Sequence, residues 1–291
     1  MVGGNFMLWL FSLFIMIACL FSNNLVLCVF LMEFSGVIVF PLILCGPNTL
    51  FSINKSVIIL FIVSSVSGLF LLFGFLYNVW CFIYLGLCLK VGLFPFCWWM
   101  YLVFQGINVD AILYINVFHK LPILVIGSFV GFFSGYIFFL FFSFSVLFVF
   151  VSLLLVPSYS SFLAGSSVMS SLVLISIIDS VSFGLVINLL LLGWFYYFML
   201  VLFFYSCMNS GYLSGYLVSD YLWLFYIFIS FPISLSILYK IYSLYCLSLV
   251  SLFLLVVWVF YQCLEQVWFI NLIIFLSGFG LNAEESDGRL V

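Results

Sequence analysis

Residues 56–104 read SVIILFIVSSVSGLFLLFGFLYNVWCFIYLGLCLKVGLFPFCWWMYLVF, and in these 49 residues the only charged side chain is Lys90. The run is too long for a strand and lacks the alternation of one. A helix that crosses a bilayer needs ~20 apolar residues. The stretch therefore predicts two membrane-spanning helices, 56–78 and 79–104.

The rest of the chain has the same character. Of 291 residues, 69% are hydrophobic and 4% are charged. Soluble domains run near ~25% charged and ~45–50% apolar. A water-facing surface cannot be built from 5 basic and 8 acidic residues. That composition excludes a soluble enzyme, a disordered chain and a nucleic-acid binder with a basic face. The net charge of −3 says little about partners beyond the membrane lipids that must surround such a chain.

Working outward, the breaks fall at Ser22-Asn23-Asn24, Gly46-Pro47-Asn48-Thr49, Gly106-Ile107-Asn108 and the stretch from Met208 to Asp220. The predicted spans are 4–21, 25–45, 56–78, 79–104, 108–131, 135–156, 160–180, 183–207, 221–245, 246–264 and 267–281. The expected fold is an all-α transmembrane bundle of about eleven spans, one domain over 1–281 with a polar tail over 282–291. Glu265-Gln266 is the only divider available between the last two spans.

The first 32 residues carry no charge. A secretory signal needs a basic n-region and a transit peptide needs arginines, so the first run is expected to be a retained span. Phe occurs 41 times, whereas Thr49 and His119 are the only residues of their kinds. A T- and G-rich coding strand gives this skew, and small organellar genomes have such strands. The nine cysteines contain no C-x-x-C pair, and one histidine cannot complete a Cys/His metal set. No metal ligand set and no cofactor-binding pattern is expected in this chain.

Four charges lie more than two residues inside a predicted span: Glu33, Lys90, Lys120 and Lys240. Each costs ~2.5–3.5 kcal/mol at the bilayer centre, so four facing lipid would cost on the order of 10 kcal/mol. They are expected to face the bundle interior, with Glu33 paired to a lysine. A buried lysine holds its proton less tightly, and a neighbouring carboxylate restores the hold. A row of such lysines is the pattern of a proton relay. Pro95, Pro122 and Pro232 each share a predicted span with one of the lysines, and proline leaves the carbonyl four residues earlier without its helical donor. Broken helices near Pro95 and Pro232 are expected, and in transporters such breaks mark ion sites. His119, beside Lys120, either extends the relay or satisfies a local hydrogen bond. Asp110, near a span start, suits the positive end of a helix dipole; Asp179 and Asp220, near span ends, read as headgroup or subunit contacts, and Lys55, at a span start, as an interface anchor.

The stretch Lys90-Val-Gly-Leu-Phe-Pro-Phe-Cys-Trp-Trp99, followed by Gln105-Gly106, resembles the K-x-G-x-x-P-F-x-x-W…Q-G signature of the antiporter-like subunits of respiratory complex I. Leu31-Met-Glu-Phe34 resembles the earlier L-E-M of that family, Phe118-His-Lys-Leu-Pro122 its W-Q-K-L-x-P, Leu163-Ala-Gly-Ser-Ser167 its L-A-Y-S-S, and 231–240 its L-P-P-L-T-G-F-L-P-K. Cys97 stands where the family has His, Tyr101-Leu102 where it has P-E, and His119 where it has Gln. The Lys120-to-Pro122 spacing is one residue short, and the basic pair before the fourth motif is missing.

The resemblance implies a fold of two inverted helix repeats, each with a broken helix. It implies a proton-translocating part of NADH:ubiquinone oxidoreductase in the mitochondrial inner membrane. Glu33 and Lys90 would form a gating pair, Lys120 the central relay and Lys240 the exit side. The partners it implies are the neighbouring antiporter-like and small membrane-arm subunits. NADH, FMN, iron–sulfur clusters and ubiquinone would belong to other parts of the complex. The competing expectations are a stand-alone ion or proton transporter, a multi-span receptor, and a structural subunit with no proton path of its own.

Overall fold

The computed structural model describes residues 2–22, 24–44, 50–117, 120–130, 136–155, 158–178, 180–209 and 235–287. Among these the secondary structure is all helical, in twelve helices: α1 Val2–Phe21, α2 Leu25–Leu44, α3 Leu50–Tyr77, α4 Trp80–Val91, α5 Trp98–Phe104, α6 Val109–Val117, α7 Lys120–Val130, α8 Tyr136–Leu155, α9 Tyr159–Ile178, α10 Phe183–Asn209, α11 Leu235–Ser248 and α12 Leu252–Asp287. Among the described residues, six runs are long and apolar enough to cross a membrane: Leu25–Leu44, Ile53–Tyr77, Asp110–Phe129, Tyr159–Ile178, Phe183–Val201 and Leu252–Asn271. Met7–Phe21, Trp80–Val91 and Leu140–Leu155 are shorter apolar helices.

Three expectations change. The predicted span 79–104 is two short helices, because α4 stops at Val91. Gly92 takes the left-handed conformation, φ +73°, which costs glycine least. Its N–H and that of Leu93 donate to the Leu89 and Cys88 carbonyls, the usual closure of a helix C-terminus. The interruption thus begins at Gly92, three residues before Pro95. The predicted division at 246 is displaced, and the one at Glu265-Gln266 is absent. α11 continues to Ser248, the turn is Leu249 to Ser251, and α12 runs unbroken through Glu265. Nothing near 265 stops a helix, and burial rather than water receives the carboxylate. The polar stretch after 281 remains helical to Asp287, consistent with the helix-forming Ala283, Glu284 and Glu285. Pro232 lies outside the described residues.

α9 is the axis of the bundle. Every residue from Ser161 to Ile177 is buried, and α4, α5, α7, α8, α10 and α11 all pack on it. Its six serines in that range would be unwelcome in an apolar core without partners. Ser161, Ser166, Ser170, Ser171 and Ser176 each donate to the carbonyl three residues earlier. The outer faces are apolar instead, with Phe14, Phe61, Leu155 and Phe260 exposed. Large apolar side chains on an outer surface suit a lipid surround. α2, α3 and α4 pack together on one side of the bundle, and α10, α11 and α12 pack in sequence on the other.

Candidate proton-relay site

The first cluster joins α2, α3 and α4. Lys90, in the last turn of α4, is 1% exposed and its ammonium donates to Glu33 Oε1 at 2.8 Å. It also donates to Ser64 Oγ at 3.0 Å, and Ser64 donates onward to Glu33 Oε2 at 2.8 Å. Both carboxylate oxygens are thereby engaged. A lysine near a helix C-terminus also lies at the negative end of the helix dipole. The carboxylate fits because residue 68 has no side chain. A Cβ there would lie 2.8 Å from both Cδ and Oε1 of Glu33. Trp99 Nε1 donates to the Leu89 carbonyl at 2.9 Å, and Ser145 Oγ accepts from the Phe94 N–H at 2.9 Å. These two bonds satisfy groups that the interruption after Val91 would otherwise strand. A cavity of about 10 Å³, lined by Ser64, Lys90, Trp99 and Ile115 among others, lies against the pair.

The second cluster surrounds Lys120, which is 6% exposed. Its ammonium donates to the Ser167 carbonyl at 3.3 Å and to Ser170 Oγ. It also lies 4.7 Å from the centre of the Tyr197 ring, a cation–π contact. The Tyr197 hydroxyl donates to the Ser166 carbonyl. No carboxylate meets Lys120 among the described residues. A second cavity of about 10 Å³ opens here, lined by Asn116, Lys120, Ser170, Trp194, Tyr197 and neighbours. Ile115 lines the first cavity and the next residue, Asn116, lines the second, so α6 stands between them.

The third cluster was not foreseen. Glu265 is 3% exposed and accepts from the Tyr196 hydroxyl at 2.7 Å. Tyr196 stacks on Tyr239, ring centres 5.4 Å apart, and meets Tyr197 edge-on at 5.7 Å. Through adjacent residues of α10, the Glu265 carboxylate is thus two rings away from the Lys120 ammonium. A carboxylate beside a glutamine, between two apolar runs, looks like a loop in sequence. An aromatic pair such as Tyr196-Tyr197 gives no signal of its own.

Glu33 and Lys90 are therefore brought together, and Lys120 has its own surroundings of hydroxyl, carbonyl and ring. Lys240 is 8% exposed, and its ammonium has no hydrogen-bond partner among the described residues. His119, Asp179 and Asp220 lie outside the described residues. Among those described, no group of three His, Cys, Asp or Glu side chains could hold a metal ion. Compared with protein-family models and with curated proteins, the chain matches none.

Proposed function

We infer that this chain is a proton-translocating membrane-arm subunit of NADH:ubiquinone oxidoreductase, of the subunit 2 type in its shortened, nematode-like mitochondrial form. The reading places it in the mitochondrial inner membrane as an antiporter-like unit. Its spans would number about eleven and include two inverted repeats. The observation that carries it is the ion pair of buried Lys90 with Glu33, which come from two segments that resemble the family's motifs and are closed by Ser64 between them. In this reading Glu33 and Lys90 gate, Lys120 relays, and Lys240 faces the exit, with His119 a further carrier. Redox cofactors lie in partner subunits.

One observation favours a structural alternative. The first cluster closes on itself, with both carboxylate oxygens and the Ser64 hydroxyl engaged, as a salt bridge that only holds helices together would. Lys120 separates the two readings, because it is buried without a counter-charge among the described residues. Lys120→Met removes the titrating group and nearly keeps the volume. It should assemble normally, run with the native high-mass band on a mild-detergent gel, and abolish proton uptake by reconstituted vesicles. Lys120→Arg should also fail, since Arg stays protonated at every physiological pH. Normal uptake in the Met variant would make Lys120 structural, and an active monomer would favour a stand-alone transporter.

A further inference from the structure

Asn116 is fully buried, at 0% exposure, and neither its amide oxygen nor its amide nitrogen has a hydrogen-bond partner among the described residues. Leaving a buried polar group unsatisfied costs its full desolvation. A leucine of similar size would be cheaper at this position. The amide lines the Lys120 cavity. Two of the three ammonium N–H groups of Lys120 reach Ser167 and Ser170, and the third has no oxygen acceptor among the described residues. The cavity of about 10 Å³ has room for a single water, which needs two to four polar partners to be retained. An amide acceptor, an amide donor and an ammonium donor supply them. Leu190 and Trp194 wall this space from an entirely apolar cavity of about 150 Å³ behind them, where a water would find no partner.

We propose that the cavity between Asn116 and Lys120 is a binding site for one water, held by the Asn116 amide against the Lys120 ammonium, and that Lys120 exchanges its proton through this water. The inference rests on the proton-relay reading above. In the exchange an N–H bond of the ammonium breaks as an O–H bond to the water forms. The products are a neutral amine and a hydronium hydrogen-bonded to the Asn116 oxygen. The hydronium then gives one of its other protons to a water at the mouth of the cavity, so that the bound water is neutral again in place and the amide itself is unchanged. Asn116 is thus a positioning residue, and Ile115, its neighbour on α6, is the apolar side of the partition toward Lys90.

The test uses the native assembly. Asn116→Leu should leave assembly intact, because leucine nearly keeps the volume and needs no hydrogen-bond partner. Proton uptake should fall roughly tenfold or more, since misplacing one participant by an ångström can cost about 10²-fold. Asn116→Ser, which keeps a donor and an acceptor, should restore most of the uptake. A high-resolution map of the native assembly should show the water, and a map of the Leu variant should lack it. A dry cavity in the native map overturns the site. Normal uptake in Asn116→Leu, where Lys120→Met abolishes it, overturns the role of Asn116 and leaves the relay standing. Normal uptake in both overturns the relay and this inference with it.

Discussion

Glu33 keeps 26% of its side chain exposed, yet both of its oxygens are turned to Lys90 and Ser64. Lys90 is the partner with nowhere else to go, at 1% exposure. Glu33→Gln therefore strands a buried cation, and breaking such a pair from one side costs ~3–5 kcal/mol. The double change Glu33→Gln with Lys90→Met should recover most of that loss, read as the thermal midpoint of the assembled protein. Equal midpoints for the single and double variants would mean that the pair contributes nothing. Glu265 poses the reverse case, a carboxylate whose one identified donor is a neutral phenol. Tyr196→Phe keeps the ring stack on Tyr239 and removes only that donor. It should cost ~1.5–3 kcal/mol, the range for a hydrogen bond to a charged group. A midpoint unchanged in Tyr196→Phe would show that other groups satisfy the carboxylate. Glu33, Lys90, Lys120 and Lys240 could be picked out of the sequence because a charge inside an apolar run is conspicuous. Asn116 could not, since an uncharged amide is unremarked until a cavity is seen beside it. Nor could the Ser167 carbonyl that meets Lys120, because backbone acceptors leave no mark in composition.

At the level of elements, apolar length located most helices and misjudged where they stop. Runs such as 25–45, 160–180 and 183–207 correspond closely to α2, α9 and α10. The interruption in 79–104 was expected from Pro95, but its geometry belongs to Gly92. That residue is held at φ +73°, and a Cβ there would come 2.9 Å from Met100 Cγ. Gly92→Ala should cost ~1–2 kcal/mol from the left-handed backbone alone, with more from moving Met100. Because Lys90 lies two residues upstream, the variant should lose proton uptake before it loses assembly. Uptake and assembly declining in step would mean that the turn serves folding only. The division at Glu265 failed for a different reason. A hydropathy dip reports polarity, and a polar residue at a loop and one turned into a core look alike until neighbouring helices are in place.

For the molecule as a whole, exposure means contact with lipid over most of the surface, and cysteines can separate lipid from water. Cys81 and Cys263 are both exposed, but Cys81 lies beside the Asn78-Val79 turn and Cys263 lies within the membrane-crossing run Leu252–Asn271. Maleimide reacts with the thiolate, which forms in water and not in hydrocarbon. In membranes, a water-soluble maleimide should label a variant retaining only Cys81 and spare one retaining only Cys263. Equal labelling would mean that α12 borders water at that depth. The central helix α9 has a consequence at this scale as well. Five of its buried serines give their hydrogen to their own backbone. What they turn toward the surrounding helices is oxygen lone pairs. A donor packed against α9 therefore finds its partners there, as the Lys120 ammonium does at Ser167 and Ser170, and a buried carboxylate would not.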